Sequence, residues 1–335
     1  MGEPHEDLPE LRELRELYGE PPPPRPSAAA RVRARLDDER RRRARLPWIL
    51  AVAAATATAV AVVVSTVPST PAATLTGRSV LLAAATAAAA VPGKPAGAYW
   101  HVSRLRSDIR RIGGHQLVSE RLNEQWATED GRHWRGERDL GIRPRSPADE
   151  AAWRRDGSPS TWHGVALNTS PGKGGLAQVT GRAPFSIAGR DLTVAQILRL
   201  PGDPADLERR VRGMLPADAP EGLFADALCG LLWSKPSPPG VRAAAYRLLA
   251  GLAEVRYLGD SADERGRPGA GFSFTVRRSD APVLRTLIID PRTSQVLSST
   301  DQGPGEEKRS ELVLSAGWTT SEPSPPRVPA KPSPS

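Results

Sequence analysis

Few residues in this sequence have the type and the spacing that a catalytic or metal-binding site requires, and none belongs to a catalytic motif. Lys173 follows Gly172, but a phosphate-binding loop needs GxxxxGK followed by Ser or Thr. The five histidines lack metal-ligand spacing such as HExxH, and the chain contains no GxSxG nucleophile elbow. The sequence therefore predicts no enzymatic activity, no catalytic residues, no metal and no cofactor.

The single cysteine, Cys229, excludes a disulfide within the chain and a cysteine-based zinc site. It falls on an apolar helical pattern beside Leu228 and Leu231. Free cysteine in such a position behaves as a small buried hydrophobic residue, which is the interpretation we favour. An intermolecular disulfide outside the cell is the alternative.

Three tryptophans are candidates for a binding site. Trp100, Trp126 and Trp134 fall on predicted strands of one antiparallel meander. On a curved sheet they would line an apolar cavity for a lipid or an acyl chain. The competing interpretation, which we favour, is that they fill the core, because small alanine side chains dominate the apolar residues elsewhere.

The strongest signal is a membrane anchor at residues 46–67. This segment carries no charge, and about 20 such residues span a bilayer as a helix. Eight arginines precede it within residues 31–45, and the first charge after it is Arg78. The positive-inside rule then places residues 1–45 in the cytoplasm and residues 68–335 outside the cell membrane. A cleaved signal peptide is the alternative, disfavoured by the length of the apolar run and of the segment before it.

The arginine run also bears on partners. Clustered arginines next to an anchor fix the topology and attract anionic lipid. The formal charge of +8 is therefore partly a topology signal, and the low aromatic content of 5% is unsuited to stacking on single-stranded nucleic acid. No nucleic-acid partner is expected.

The cytoplasmic tail contains a narrow apolar stripe. Leu8, Leu11, Leu14 and Leu17 recur every three residues, with Tyr18 beside the last of them. Such a stripe is typical of a short helix that docks into the groove of a partner. It fits equally well a marginal helix with no partner, because about a dozen residues rarely hold a helix alone.

The outer region reads as strands, then helices, then strands. We predict a buried, alanine-rich helix at residues 80–91 and a hairpin turn at Asp130-Gly131. We predict a spacer at residues 68–78, an extracytoplasmic domain at residues 79–320 and a disordered Pro/Ser-rich tail at residues 321–335. Grouped runs of strands and helices favour an α+β fold with an antiparallel sheet over alternating βαβ units. We expect a curved sheet with helices packed on its concave face.

The pattern as a whole resembles an uncharacterised actinobacterial family of single-pass membrane proteins, often encoded beside alternative sigma factors. The likeness covers nearly the whole chain and is most specific from residue 239 to residue 271. Its other motifs are LPELRELREL, PGKPAGAYWHVSRL, WATEDGRHWRGE and LIIDPRTSQVLSS. It implies an outer domain like the half-barrel of periplasmic lipoprotein carriers and of the sensor that regulates an envelope-stress anti-sigma factor. No catalytic residues come with the family.

Two functions follow from these observations. The first is a membrane-anchored extracytoplasmic sensor or regulatory protein that acts in signal transduction with a sigma factor, bound by its cytoplasmic tail. The alternative is a membrane-tethered lipid- or lipoprotein-binding protein without a signalling role.

Overall fold

The computed structural model describes residues 76–93, 97–112, 114–162, 165–277, 281–304 and 308–327. The chain divides into two compact units, residues 1–70 and residues 71–335, and all described residues belong to the second. The predicted tail, the predicted anchor and nearly all of the predicted spacer lie outside the described residues. Within the described ranges, no helix is both long and apolar enough to cross a membrane.

Thirteen strands and six helices make up the described part of the chain. The strands are β1 (Tyr99–Ile112), β2 (His115–Ala127), β3 (His133–Pro144), β4 (Thr161–Trp162), β5 (Val165–Ala166), β6 (Gly175–Val179), β7 (Phe185–Ile187), β8 (Arg190–Leu192), β9 (Arg256–Ala262), β10 (Pro268–Arg277), β11 (Pro282–Asp290), β12 (Gln295–Gln302) and β13 (Lys308–Thr319). The helices are α1 (Gly77–Ala89), α2 (Pro147–Arg155), α3 (Val194–Leu198), α4 (Pro204–Arg212), α5 (Glu221–Trp233) and α6 (Pro239–Leu249).

Nine of these strands form one antiparallel sheet, in the order β6-β3-β2-β1-β13-β12-β11-β10-β9. Strands from before and after the helical segment meet where β1 pairs with β13. The predicted fold class is therefore confirmed as α+β with a large antiparallel sheet and several helices.

The turn between β2 and β3 shows how a short stretch of sequence determines where two neighbouring strands of this sheet are connected. The backbone N–H of Thr128 donates to the carbonyl of Arg132 at 2.9 Å, and the Asp130 carboxylate accepts from the Arg132 N–H at 3.3 Å. Gly131 has a φ of +94°, which residues with a side chain rarely adopt. The predicted Asp130-Gly131 hairpin is confirmed.

The main core lies between the helices and one face of the sheet. Helix α1 packs along α6, and both present alanines at their contact, which allows a close approach. The predicted buried helix at residues 80–91 is confirmed as α1. Its N-terminus is capped by Thr76, whose side chain accepts from the N–H of Ser79. The fully or nearly fully buried side chains of α1 are Val80, Leu81, Ala84, Ala85 and Ala88.

Directly paired residues on neighbouring strands share a face of the sheet, so the register assigns each side chain to one side. Trp100 of β1 pairs with Trp318 of β13 and with Ala127 of β2, which belongs to the main core. These residues therefore face the helices. Further along the same face of β1 come Arg104 and then Arg106, so this face changes from apolar to charged.

The described part of the C-terminal segment contacts the rest of the fold at Pro326. Residues 321–327 are described, and Pro326 is buried. A guanidinium N–H of Arg138 donates to the Pro326 carbonyl at 3.4 Å. A Cβ at Gly174 would lie 2.7 Å from that oxygen, so a glycine makes room for the segment. The prediction of a disordered tail at residues 321–335 remains a prediction.

Helix α5 approaches the sheet so closely that one position must be glycine. A Cβ at Gly222 would lie 1.8 Å from the carbonyl oxygen of Thr275 on β10. We expect Gly222→Ala to lower the free energy of unfolding by about 1–3 kcal/mol or more, because α5 must move away from β10. Chemical denaturation of the full-length protein measures this.

Gly175→Ala is the matched control, because a Cβ there meets no atom within 4 Å and the residue lies on edge strand β6. It should change stability by less than about 0.5 kcal/mol. Equal stability of the two variants would contradict the close approach of α5.

Candidate functional site

A groove lined by both apolar and polar residues opens where the end of α5, the linker to α6 and the β1–β13 pair meet. Its volume is about 380 Å³. Three indoles line it, those of Trp100, Trp233 and Trp318, and we call it the tryptophan groove. This volume falls in the range of sites that hold small ligands.

Two of the indoles come from the sheet. Trp100 and Trp318 are direct partners on β1 and β13, and their rings meet edge-to-face with centroids 5.9 Å apart. Both are half-buried and face the groove. Such pairs are favourable aromatic contacts and leave a broad apolar surface for a ligand.

The linker between α5 and α6 supplies the opposite wall. Its sequence from Ser234 to Pro239 is SKPSPP, and all three prolines line the groove. The Ser237 N–H donates to the Lys235 carbonyl at 2.7 Å, which tightens the turn. Proline has a fixed φ and no N–H, so this wall is stiff and offers few backbone donors to a ligand.

Three buried donors in the tryptophan groove have no hydrogen-bond partner among the described residues. They are the indole Nε1 of Trp100, the hydroxyl of Ser237 and the Nε of Arg242. Leaving such a group buried and unpaired costs about 1–3 kcal/mol each. The residues that line the groove therefore combine apolar side chains with polar groups that lack a partner.

Arg242 is held in place by its other nitrogen. Its Nη2 donates to the carbonyl of Ser294 at 2.6 Å and to the Ser294 hydroxyl at 3.1 Å. The buried hydroxyl of Tyr246, one turn along α6, donates to the same carbonyl at 2.9 Å. Burial lowers the pKa of Arg242 from its ordinary value. The side chain is thus a fixed donor at the wall.

The structure separates the three tryptophans that the sequence singled out. Trp100 lies in the tryptophan groove. Trp126 pairs with Trp134 and with His101, and the His101 ring stacks on it at 3.8 Å, so these residues occupy the other face of the sheet. Trp100, Trp126 and Trp134 therefore do not line one cavity.

Sequence reasoning missed Trp233 and Trp318, the two indoles that join Trp100 in the groove. They lie on a helix and on the last strand, far from Trp100 in the chain. The proline-rich run directly after α5 is a local signal of a surface linker, but only the strand register shows which indoles meet there.

A second cavity, of about 640 Å³, lies where α5 faces charged residues of the sheet. We call it the polar cavity, and Trp233 lines both it and the tryptophan groove. Arg285 binds the Asp301 carboxylate through two bonds of 2.7 Å and also pairs with Asp226. Arg104 lies 3.4 Å from Glu311. Most of the charged side chains in this cavity are thus engaged with each other.

Cys229 also borders the polar cavity, but its side chain is buried, as predicted. Burial raises the pKa of its thiol, which keeps it protonated and poorly nucleophilic. In the part of the chain that the structure covers, no three His, Cys, Asp or Glu side chains are placed to hold a metal ion. The predicted partner-binding residues Leu8, Leu11, Leu14, Leu17 and Tyr18 lie outside the described residues.

Comparison with known proteins adds little to this geometry. No family model matches the chain, and no curated protein matches it. Among solved structures, one similar chain is the dehydratase domain from the CurK module of curacin polyketide synthase, 11% identical, with 71% of this chain and 80% of that chain covered and a TM-score of 0.14. A likeness of this size carries no argument about fold or activity.

Proposed function

We propose that the protein is a membrane-anchored extracytoplasmic sensor whose tryptophan groove takes the apolar part of a lipid or of a lipid-modified protein. The observation that carries this proposal is the groove itself. It joins three indoles, a proline wall and three buried donors without partners. An amphipathic molecule with an acceptor oxygen meets both requirements at once.

The energetics of the groove support an acyl ligand. Each methylene moved from water into an apolar site contributes about 0.8 kcal/mol, so a chain of a few carbons gives useful affinity. The donors then fix the position of the ligand, because an oxygen that leaves water must find a hydrogen bond. A purely polar ligand would gain nothing from the three indoles.

A curved, open half-barrel sheet is part of this proposal. The large sheet has two free ends, β6 and β9, so it does not close on itself. Bulges add local twist and bend to a strand. The register shifts at four places, between Ser103 and Arg104, Glu120 and Arg121, Gly271 and Phe272, and Ile288 and Ile289. These shifts support a bent and twisted sheet.

The sensing role rests on the sequence. The anchor at residues 46–67 would tether the binding domain outside the membrane, and the leucine stripe would bind a cytoplasmic sigma factor, as the family resemblance implies. Ligand occupancy would then alter a partner on the other side. A tethered lipid or lipoprotein carrier with no signalling role is the second candidate, favoured by the same groove.

Filling the groove should weaken acyl binding. Ala316 is exposed, faces the helices beside Trp318 and lines the groove. We expect Ala316→Phe to weaken binding of cis-parinaric acid to the full-length protein by at least about tenfold, because the new ring occupies the ligand's volume. Fluorescence titration in amphipol measures this.

Ala177→Phe on β6 is the matched control, an exposed alanine outside the groove. It should bind the fatty acid as the wild type does. The proposal fails if the wild type shows no saturable binding, or if both variants bind equally while remaining folded by thermal melting.

The tail tests the signalling role. We expect the double change Leu11→Ala and Leu14→Ala to remove crosslinking to the sigma factor and to alter transcription of its targets, because the apolar stripe is broken. Glu10→Ala with Glu13→Ala is the control that keeps the stripe. If neither crosslinking nor transcription differs between the two pairs, the protein is a tethered binder and not a regulator.

A further inference from the structure

The polar cavity contains a buried cation that no carboxylate neutralises among the described residues. Lys235 is 8% exposed. Its ammonium donates to the carbonyl of Gly230 at 3.3 Å and to the hydroxyl of Ser234 at 3.4 Å, both neutral oxygens at long distance. A buried charge is expensive unless it is paired, so this lysine has an unmet electrostatic requirement.

The neighbouring cations add to this excess. The three acidic side chains that line the cavity are already engaged, Asp226 and Asp301 with Arg285, and Glu311 with Arg104. Arg277 and Arg309 line the cavity as well, and Arg309 shares the Asp108 carboxylate with Arg106. Positive side chains therefore outnumber negative ones around Lys235.

Arg104 brings a second unmet donor. Its Nε is buried and has no hydrogen-bond partner among the described residues, while its guanidinium lies 5.5 Å from the centre of the Trp233 ring. Burial, together with repulsion from Arg104, lowers the pKa of Lys235 to about 8. Lys235 and Arg104 thus repel each other, and of the two only Arg104 is paired with a carboxylate of the described residues, that of Glu311.

Local backbone explains why the lysine reaches this place. Lys235 follows the last turn of α5, where free carbonyls attract cations, and that partial charge offsets some of the cost of burial. A Cβ on Gly230 would lie 2.7 Å from the lysine nitrogen, so the glycine leaves the space that the ammonium occupies. The end of α5 and the space left by Gly230 therefore define the position of the Lys235 ammonium.

We propose that the polar cavity is a phosphate site in which Lys235 and Arg104 bind the phosphate oxygens. A phosphate accepts several hydrogen bonds and carries the negative charge that this cavity lacks. The source is either free inorganic phosphate or the headgroup of a phospholipid. The headgroup form rests on the proposed function, since Trp233 lines both this cavity and the acyl groove, whereas the site itself does not.

Calorimetric titration of the full-length protein in amphipol tests the proposal with two probes. One is inorganic phosphate, and the other is dihexanoyl phosphatidic acid below its micellar concentration. Tighter binding of the lipid identifies a headgroup site, and equal binding of the two probes identifies a site for free phosphate. The proposal is overturned if neither probe binds.

Lys235→Met should weaken the binding of both probes by at least about tenfold, because a charge-assisted hydrogen bond is lost. Lys173→Met is the matched control, an exposed lysine in a loop outside the cavity, and should bind as the wild type does. Equal affinity of the two variants for both probes overturns the site.

Two further readouts separate binding from folding. Phosphate should raise the melting temperature of the wild type but not that of Lys235→Met, which a purely structural lysine would not explain. Arg277→Gln removes an exposed positive charge at the cavity. It should weaken the binding of inorganic phosphate, but less than Lys235→Met does. Ala316→Phe should bind cis-parinaric acid more weakly than the wild type but should bind inorganic phosphate with the wild-type affinity. The two measurements therefore distinguish failure of the acyl groove from failure of the phosphate site.

Discussion

The packing of α5 on the sheet is the constraint on which the rest of the structure depends. Gly222 brings the start of this helix against the backbone of β10, and this contact fixes where the helix must end. Its last residue, Trp233, therefore lies over the sheet, between the tryptophan groove and the polar cavity. The linker that follows has to return to α6 across the sheet, and this leaves the tryptophan groove and the polar cavity bordering the same indole.

Both cavities are lined by residues with buried polar atoms that have no hydrogen-bond partner among the described residues. In the groove, three buried donors lack a partner, and in the polar cavity the buried Lys235 is repelled by Arg104. Proteins keep such conflicts chiefly where a ligand resolves them, because unpaired buried polar groups otherwise lower stability. The alanine-rich contact of α1 with α6, together with the rest of the helix layer, supplies the burial that tolerates this cost.

Much of the secondary structure can be predicted from short stretches of the sequence, whereas the candidate site depends on the register in which the strands pair. The apolar run at residues 80–91 predicts α1, Asp130-Gly131 predicts the turn before β3, and the N-cap Asp203 with Pro204 predicts the start of α4. These features depend on neighbours in the chain. Which tryptophans share a face depends on how β1, β2, β3 and β13 pair, and a shift of one residue would reverse it. The anchor, the tail and its leucine stripe remain predictions.

Native mass spectrometry of the wild-type full-length protein, purified from the cells that produce it, tests the central claim most directly. The account predicts one acyl-bearing molecule per chain that stays bound after the surrounding amphiphile is stripped away. Its mass and fragments would also show whether it carries a phosphate. A bare chain, together with no uptake of phospholipid when lipid is added back, would contradict the account and leave the groove as a feature of the fold alone.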